Sequence, residues 1–181
     1  MQIKNSVDRY GVVAQLFHWS IVALVVVQFV LAEQAEDAEP LLQKEILTTH
    51  KSFGMTIFMF AVLRLLWRLA NPPPTAIAAK KWQEHAARIV HWLLYALILS
   101  TPLAGWLMSS AKNYTVSWFG VFSFPNLIAP DESRFDQLKE LHEILAFSIF
   151  NLALLHLVAA LKHHFFDKDN VLRRMLPLKL K

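Results

Sequence analysis

Histidine is the residue type in this sequence that points most directly to chemistry. Several of its eight histidines, among them His18, His50, His142 and His156, lie within, or at the edges of, long apolar stretches. A polar side chain without a partner costs free energy in an apolar environment, so histidines in such places are usually functional or hydrogen-bonded. The run from 141 to 164 contains two of them, His142 and His156, fourteen residues apart. On a helix this spacing is about 21 Å along the axis and puts both imidazoles on roughly one face.

The apolar stretches are long enough to be membrane spans. Of the 181 residues, 55% are hydrophobic and only 18% are charged, which is too apolar for an ordinary soluble domain. A helical span needs about 20 mostly apolar residues. Four stretches meet this requirement and predict helices over approximately residues 10–32, 48–70, 88–111 and 140–163. The sequence therefore predicts an all-α protein: a four-helix transmembrane bundle in which residues 1–181 form a single integral-membrane domain.

The charges in the connections predict the orientation of the bundle. Lysine and arginine near span ends are enriched on the cytoplasmic side of a membrane. The first loop is acidic, whereas the second loop and the C-terminal tail are basic, so both termini are expected to be cytoplasmic. These charges are Glu33, Glu36, Asp37, Glu39 and Glu45 in the first loop, Arg64, Arg68, Lys80, Lys81 and Arg88 around the second, and Lys162, Lys168, Arg173, Arg174, Lys179 and Lys181 in the tail.

Two further segments affect the predicted organisation. The first span could be a cleaved signal peptide, but its length and its polar residues Gln15, His18 and Gln28 favour a retained helix. Residues 118–128, with the sequence WFGVFSFPNLI, are too apolar for a loop in water. We predict that they lie on the outer interface or cap the bundle.

Depth divides four of the histidines in the predicted spans into two pairs. His18 lies about two turns inside the cytoplasmic end of helix one, and His156 lies about two turns above Lys162 on helix four. His50 and His142 are predicted to open helices two and four at the outer surface. A haem standing between two helices takes one imidazole from each, so such pairs are what bis-histidine ligation requires. We therefore predict His18 and His156 as ligands of a cytoplasmic-side haem iron, and His50 and His142 as ligands of a periplasmic-side haem iron.

Other metal chemistry fits the sequence less well. The absence of cysteine excludes disulfides, iron–sulfur clusters, covalently attached c-type haem and thiolate zinc sites. Zinc would need a compact tetrahedral cluster, which ligands divided between the two faces of a bilayer cannot form. Each predicted ligand has a small residue one turn away, which would let a porphyrin approach the helix, although small residues also suit plain helix packing. These small residues are Ala14, Gly54, Ala146 and Ala160.

The other four histidines carry less specific predictions. His85 is expected to be a solvated residue of the second loop. His91, about one turn inside helix three, is a candidate for contact with a haem propionate or a quinone, with iron ligation as a third alternative. His163 and His164, next to Lys162, could donate hydrogen bonds and protons to a quinone, or could form a basic cluster that snorkels to the interface.

Six stretches of the sequence, in their order and spacing, resemble the bacterial cytochrome b561 family. They are RYGVVAQLFHW, THKSFGM, VLRLLWRLANPPP, ARIVHWLLYALILSTPLAGW, LHEILAF and LLHLVAALKHHFFDKDNVLRRMLP. The resemblance covers nearly the whole chain and implies two b-type haems, held by the histidine pairs above in a four-helix protein of the bacterial inner membrane. Arg9, Arg64 and Arg68, which could also simply snorkel, are candidates to neutralise haem propionates.

The same resemblance implies electron transfer through the membrane. The best-defined activity in the family is oxidation of superoxide at the periplasmic side, with the electrons passed to ubiquinone. By analogy, ubiquinone would lie near His163 and superoxide near the outer haem, with Lys51 as an attractive cation. Both outer loops are net acidic, which disfavours an anion unless Lys51, Lys112 and Lys139 make a local funnel.

Two other functions are compatible with the sequence. A membrane electron-transfer subunit that exchanges electrons between the quinone pool and a soluble redox protein would suit the acidic outer surface. A membrane scaffold or transporter with structural histidines would bind no haem. The expected partners are thus the lipid bilayer and a quinone, with a soluble redox protein in the first alternative; no nucleic-acid partner is expected.

Overall fold

A computed structural model of the protein describes residues 2–77 and 81–176. Lys80, Lys179 and Lys181, which contribute to the predicted orientation, lie outside the described residues. The elements in chain order are α1 (Val12–Glu36), α2 (Pro40–Ala70), α3 (Lys81–Ala111), β1 (Val116–Trp118), β2 (Phe122–Phe124), α4 (Glu132–Phe165) and a short 3₁₀ turn, Arg173–Met175.

The four helices form a bundle whose outer surface is apolar. Each is long and apolar enough to cross a membrane. Helix α1 packs along α2, α3 packs along α4, and α2 contacts α3 between these two pairs. Large side chains such as Val26, Phe147 and Leu155 are exposed, as expected for a surface solvated by lipid. The prediction of an all-α, four-helix transmembrane bundle is confirmed, with the small hairpin β1–β2 as an addition.

Three helices begin earlier than the sequence predicts. Helix α2 begins at Pro40 instead of 48, α3 at Lys81 instead of 88, and α4 at Glu132 instead of 140. Apolar run length detects only the part of a helix that crosses hydrocarbon, whereas these turns, in which charged residues interrupt the apolar ones, extend beyond it. Proline suits the first turn of α2, and the Asp131 side chain caps α4 by accepting a hydrogen bond from the Arg134 amide, 3.1 Å away.

Because these helices are longer than predicted, three histidines lie at different positions in the secondary structure from those expected. His50 and His142 do not open their helices: each lies ten residues after the first residue of α2 or α4. His85 is not in a loop, because it lies on the first turns of α3, where its ring nitrogen Nδ1 is 2.8 Å from the Lys81 carbonyl. Its side chain is exposed, as expected.

The apolar loop after α3 forms a hairpin that is fastened to α2. Strands β1 and β2 are antiparallel, with Trp118 opposite Phe122. The Trp118 indole donates a hydrogen bond to the Thr56 hydroxyl at 3.0 Å, and the Ser52 hydroxyl accepts one from the Phe119 amide at 3.1 Å. The Ser52 hydroxyl also lies 2.9 Å from the Ser117 carbonyl, within hydrogen-bond distance. Of the two predicted arrangements, these contacts favour the one in which the segment caps the bundle.

The opposite end of the bundle is closed by the two terminal segments. Arg9 donates a hydrogen bond to the Leu176 carbonyl at 2.6 Å, and the indole of Trp19 donates to the Met175 carbonyl at 2.8 Å. The amide of Gln15, on the first turn of α1, donates to a carbonyl of the same tail at 3.2 Å. The N- and C-terminal segments therefore lie together at one end, as an even number of spans requires.

Candidate functional site

The structure brings the rings of His18 and His156 together at the end of the bundle where the termini lie. His18 is on α1 and His156 on α4, and their ring centroids are 6.4 Å apart. The ring planes make an angle of 81°. We call this pair the inner pair.

A second pair with nearly the same geometry lies toward the hairpin end. The centroids of His50, on α2, and His142, on α4, are 6.3 Å apart, and their planes make an angle of 70°. We call this the outer pair. Because α4 contributes one member to each pair, the two pairs are separated by about 21 Å along that helix.

Both separations fit two imidazoles that share one metal ion between them. A metal–imidazole nitrogen bond is about 2 Å long. Ring bonds of roughly 1.35 Å, close to the length of a peptide C–N bond, put that nitrogen about 1.2 Å from the ring centre. Two rings on opposite sides of one ion therefore have centroids about 6 Å apart. The donor set, two neutral imidazoles from different helices, is the one that haem iron takes in b-type cytochromes.

The surroundings of the outer pair prepare His142 for ligation. The ring nitrogen Nδ1 of His142 donates to the Thr101 carbonyl at 2.9 Å, so its Nε2 is the nitrogen left free for a metal. A Cβ on Gly105 would lie 3.0 Å from Cε1 of His142, so a larger residue there would press on the ring in this orientation. The Nδ1 atom of His50 is buried without a hydrogen-bond partner. A nitrogen orphaned in an apolar interior is what a site built for a further group would show.

Gln28 and Gly54 lie beside the outer pair. The Gln28 amide nitrogen donates to the His50 carbonyl at 3.0 Å, while its oxygen is buried without a partner. Gly54, one of the small residues expected to admit a porphyrin, makes room for Gln28, because a Cβ there would lie 3.0 Å from that amide nitrogen.

The inner pair is surrounded by cationic and aromatic side chains. Arg64 donates a hydrogen bond to Nδ1 of His18 at 3.1 Å, and its guanidinium lies 5.3 Å from the centre of the Tyr95 ring. Arg68 lies 5.5 Å from the ring centre of Tyr95 and the same distance from that of Trp92. Within the described ranges, no carboxylate forms a salt bridge with either arginine. Arg64 and Arg68 are therefore suited to pair with the carboxylates of haem propionates.

Tyr10 borders the same group of cations. Burial raises the pKa of the Tyr10 phenol, although the nearby Arg68 and Arg64 act in the opposite direction. The phenol is therefore a neutral hydrogen-bonding group at physiological pH. Arg9, the third arginine predicted to neutralise propionates, instead donates to the Leu176 carbonyl of the tail.

His91 joins the inner pair from α3. Its ring centroid is 5.3 Å from that of His156. This is shorter than the separation of about 6 Å expected for two rings on opposite sides of one metal ion. His91 therefore fits the predicted contact with a propionate or a quinone better than it fits iron ligation.

The lysines on the outer side differ in their partners. Lys112 pairs with Glu132, and Lys139 lies 3.8 Å from Glu143. Lys51, adjacent to His50, has its ammonium 5.0 Å from the centre of the Tyr114 ring, and no carboxylate in the described part of the chain forms a salt bridge with it. Of the three lysines considered for a local funnel, Lys51 is thus the one whose charge no contacting carboxylate offsets.

At the end of α4, His163 has carboxylate partners that sequence reasoning did not identify. Its Nδ1 donates to Asp169 at 2.6 Å and lies 3.3 Å from an oxygen of Asp167. The signal was present in the sequence HHFFDKD, where acidic residues follow His163 by four and six positions. His164 lies apart from this group: its ring packs against Phe165, and its Nδ1 is buried without a partner.

Comparison with known proteins identifies the family. The chain matches the model of the prokaryotic cytochrome b561 family over residues 9–178. It is 36% identical to "Cytochrome b561 homolog 2" of Escherichia coli K12 over 182 residues, which covers 97% of this chain and 95% of the relative. It is 28% identical to the "Probable superoxide oxidase CybB" of Yersinia pestis over 172 residues, covering 94% of this chain and 97% of the relative. "Cytochrome b561 homolog 1" of Escherichia coli K12 is 29% identical over 181 residues, covering 94% of this chain and 98% of that relative.

The chain therefore belongs to the prokaryotic cytochrome b561 family. The resemblance inferred from the six sequence stretches is confirmed. Membership makes the protein a bacterial membrane protein of a family that binds haem b and transfers electrons.

Proposed function

We propose that this member of the cytochrome b561 family is a di-haem cytochrome that oxidises superoxide at the outer face of the bacterial inner membrane and reduces ubiquinone at the inner face. The observation that carries the proposal is the presence of two histidine pairs, one toward each end of the bundle, with ring separations of 6.4 and 6.3 Å. Each pair could hold one b-type haem, which would supply a one-electron carrier.

The proposed ligands divide the chain into two electron-transfer sites. His18 and His156 would hold the inner haem, and His50 and His142 the outer one. The Thr101 carbonyl fixes the His142 ring through Nδ1 and leaves Nε2 toward the iron. At the inner site Arg64 donates a hydrogen bond to Nδ1 of His18; ligation of a neutral imidazole would require this contact to be released, and the freed guanidinium would be available for a propionate.

The proposed electron donor is superoxide, attracted by Lys51. The "Probable superoxide oxidase CybB" supports this choice through its similarity over almost the whole chain. Two superoxide anions would give two electrons and two molecules of dioxygen. One ubiquinone would take up these two electrons and two protons to form ubiquinol. The reaction is balanced in atoms and charge, and each one-electron step suits a bis-histidine haem.

The proposed quinone site lies near His163, at the end of α4. His163 follows His156 by seven residues, which is about 10 Å along the helix. The basic residues near this end support a cytoplasmic location by the positive-inside rule, and protons for ubiquinol are available there. His91 is a second candidate for contact with the quinone or with a propionate.

The acidic outer surface favours a second candidate function. Glu33, Glu36, Asp37, Glu39 and Glu45 are all exposed around the junction of α1 and α2. A basic soluble redox protein would be steered to such a surface, whereas superoxide would be repelled. In this alternative the protein exchanges electrons between that partner and the quinone pool.

The first experiment is a visible spectrum of the detergent-purified protein, oxidised and reduced, with the haem-to-protein ratio. Two b-type haems per chain are expected, and superoxide generated enzymatically should then reduce them and yield ubiquinol when ubiquinone is added. One haem per chain would contradict one histidine pair. No haem after expression with ample haem supply would favour a scaffold. Two haems that superoxide does not reduce would favour the soluble redox partner.

A further inference from the structure

We propose that Asp169 is a positioning residue that holds His163 as the proton donor to the bound quinone. The inference rests on the quinone site proposed above. It adds to that site a carboxylate that orients His163 and the nitrogen from which the quinone receives its proton. Asp169 acts through His163 and would not itself touch the quinone.

Asp169 is fixed on both sides. One carboxylate oxygen, Oδ2, accepts a hydrogen bond from Nδ1 of His163 at 2.6 Å, and the other, Oδ1, accepts one from the Val171 amide at 2.9 Å. The Asp169 amide in turn donates to the His163 carbonyl at 3.1 Å. The two side chains are only 18% and 20% exposed, so their hydrogen bond is largely shielded from water. The imidazole is thus held in one orientation by a group that cannot readily move.

This arrangement determines which nitrogen can exchange a proton. Because a carboxylate accepts the hydrogen bond, Nδ1 carries the proton, and Nε2 is the nitrogen left for chemistry. When the ring is protonated, Nε2–H can donate to a quinone oxygen as that oxygen gains electron density. The ring then takes up another proton from the cytoplasm, and two such transfers supply the two protons of ubiquinol.

Two carboxylates face the His163 ring, and they differ in their other contacts. Asp169 and Asp167 both face Nδ1, the latter at 3.3 Å. Lys162 binds both oxygens of Asp167, at 2.6 and 2.9 Å, and so offsets that carboxylate. Asp167 is also the more exposed of the two, with 34% of its side chain accessible. Asp169 is therefore the carboxylate that pairs most directly with an imidazolium.

The competing interpretation is that the pair only fastens the turn after α4. A substitution series separates the two roles. Asp169→Asn keeps an oxygen that can accept from Nδ1 but removes the charge, and Asp169→Glu restores the charge. Asp167→Asn makes the same chemical change two residues away, at a carboxylate that Lys162 already offsets. His163→Ala removes the proposed proton donor.

Each full-length variant, loaded with haem, is assayed for superoxide-driven ubiquinol formation per haem, for the KM of ubiquinone and for the solvent isotope effect. Haem reduction by superoxide without quinone and the unfolding temperature are recorded as separate readouts. We expect Asp169→Asn to lower kcat at least about tenfold, with little change in KM and a larger isotope effect. Asp169→Glu should recover part of the rate, and Asp167→Asn should lose less. Adding Asp169→Asn to His163→Ala should cause little further loss, because the two residues act as a unit.

Three results would overturn the inference. The first is a lower unfolding temperature for Asp169→Asn with an unchanged rate per haem, which would leave only the fastening role. The second is an equal loss in Asp167→Asn. The third is a normal rate in His163→Ala while superoxide still reduces the haems, which would move the quinone elsewhere. Failure of superoxide to reduce the haems of the unmodified protein would instead contradict the proposed function, so the two failures are distinguishable.

Discussion

The two histidine pairs have nearly equal ring separations but different surroundings. In the outer pair, His142 is held through Nδ1 by the Thr101 carbonyl and packed against Gly105, which leaves Nε2 as the nitrogen that could bind a metal. In the inner pair, His18 accepts a hydrogen bond from Arg64, a cation that must turn away before the ring can bind iron. At the outer site, backbone groups thus fix the orientation of the His142 ring. At the inner site, the orientation of the His18 ring is set by a charged side chain.

This difference suits the chemistry proposed at each end. Superoxide gives up an electron without any proton transfer, so a rigid outer site beside Lys51, with which no carboxylate of the described residues forms a salt bridge, would be sufficient. Quinone reduction couples electrons to protons. The inner end accordingly collects groups that carry charge or exchange protons, among them Arg64, His91 and His163.

The largest effect is expected from removing one ligand of the outer pair. His142→Ala should lower the haem content from two per chain to one and leave the inner haem spectrum intact, because the pairs share no ligand. The measurement is the haem-to-protein ratio together with the reduced-minus-oxidised spectrum. His85→Ala, at an exposed position of α3, is the control and should retain both haems. Loss of both haems, or of neither, in His142→Ala would contradict the separation into two sites.

A smaller effect on the same site is expected from Gly105→Ala. The added Cβ would lie 3.0 Å from the His142 ring, whose position is constrained by the Thr101 carbonyl and would be constrained further by the proposed metal. Such overpacking typically costs about 1–3 kcal/mol, which should appear as partial loss or easier dissociation of the outer haem.

Gly54→Ala is the matched control for this prediction. Its Cβ would also meet an atom at 3.0 Å, but that atom is the end of the flexible Gln28 side chain. Haem dissociation measured with a haem-scavenging protein should therefore be faster in Gly105→Ala than in Gly54→Ala. Equal rates would indicate that the fit of the His142 ring against α3 does not control the outer site.

Arg64→Gln should affect the inner site alone. Removing a cation from the vicinity of a haem disfavours its reduced form relative to the oxidised one. At roughly 10 Å and an effective dielectric constant of about 20, the change is about 1.7 kcal/mol. For a one-electron carrier, this corresponds to a midpoint potential lower by roughly 70 mV.

Redox titration of the two haems tests this expectation. Arg64→Lys keeps the charge and should shift the inner potential less than Arg64→Gln. A shift of the outer haem of equal size would show that Arg64 acts on the whole bundle and does not distinguish the two sites.

The smallest effect is expected from Lys51→Gln. Loss of this cation should slow haem reduction by superoxide several-fold at low ionic strength, and the difference from the unmodified protein should shrink as salt is added. Lys139→Gln, whose charge Glu143 already offsets, should slow the reaction less. A salt dependence unchanged by Lys51→Gln would contradict the role of Lys51 and favour a soluble electron donor.

The ends of the helices show where sequence reasoning stops. The apolar cores of the four spans were predictable, because hydrocarbon thickness fixes the length of the apolar run. The first turns of α2, α3 and α4 were not, because charged residues interrupt their apolar residues and they lie outside the continuous apolar runs. For the apolar segment 118–128, the sequence left two alternatives, a position on the outer interface or a cap on the bundle. The hydrogen bonds to Ser52 and Thr56 favour the cap.

The candidate site divides in the same way. Depth along each span, which is a property of one stretch of chain, predicted which histidines would meet, and the ring separations agree with both pairs. The partners of those rings could not be predicted. The contacts of His142 with Thr101, of His18 with Arg64 and of His91 with His156 join residues more than forty positions apart in the sequence.

By itself, the sequence determined the number of spans, the levels of the histidines within the membrane and the resemblance to the cytochrome b561 family. Only the tertiary structure decided which carbonyl, cation or carboxylate each imidazole contacts. The physical reason is that hydrophobicity along the chain sets how deep a residue lies, whereas the rotation of each helix about its axis is set by packing against the other helices. Likewise, the contact between Asp169 and His163 depends on the conformation of the turn after α4, which the sequence pattern did not predict.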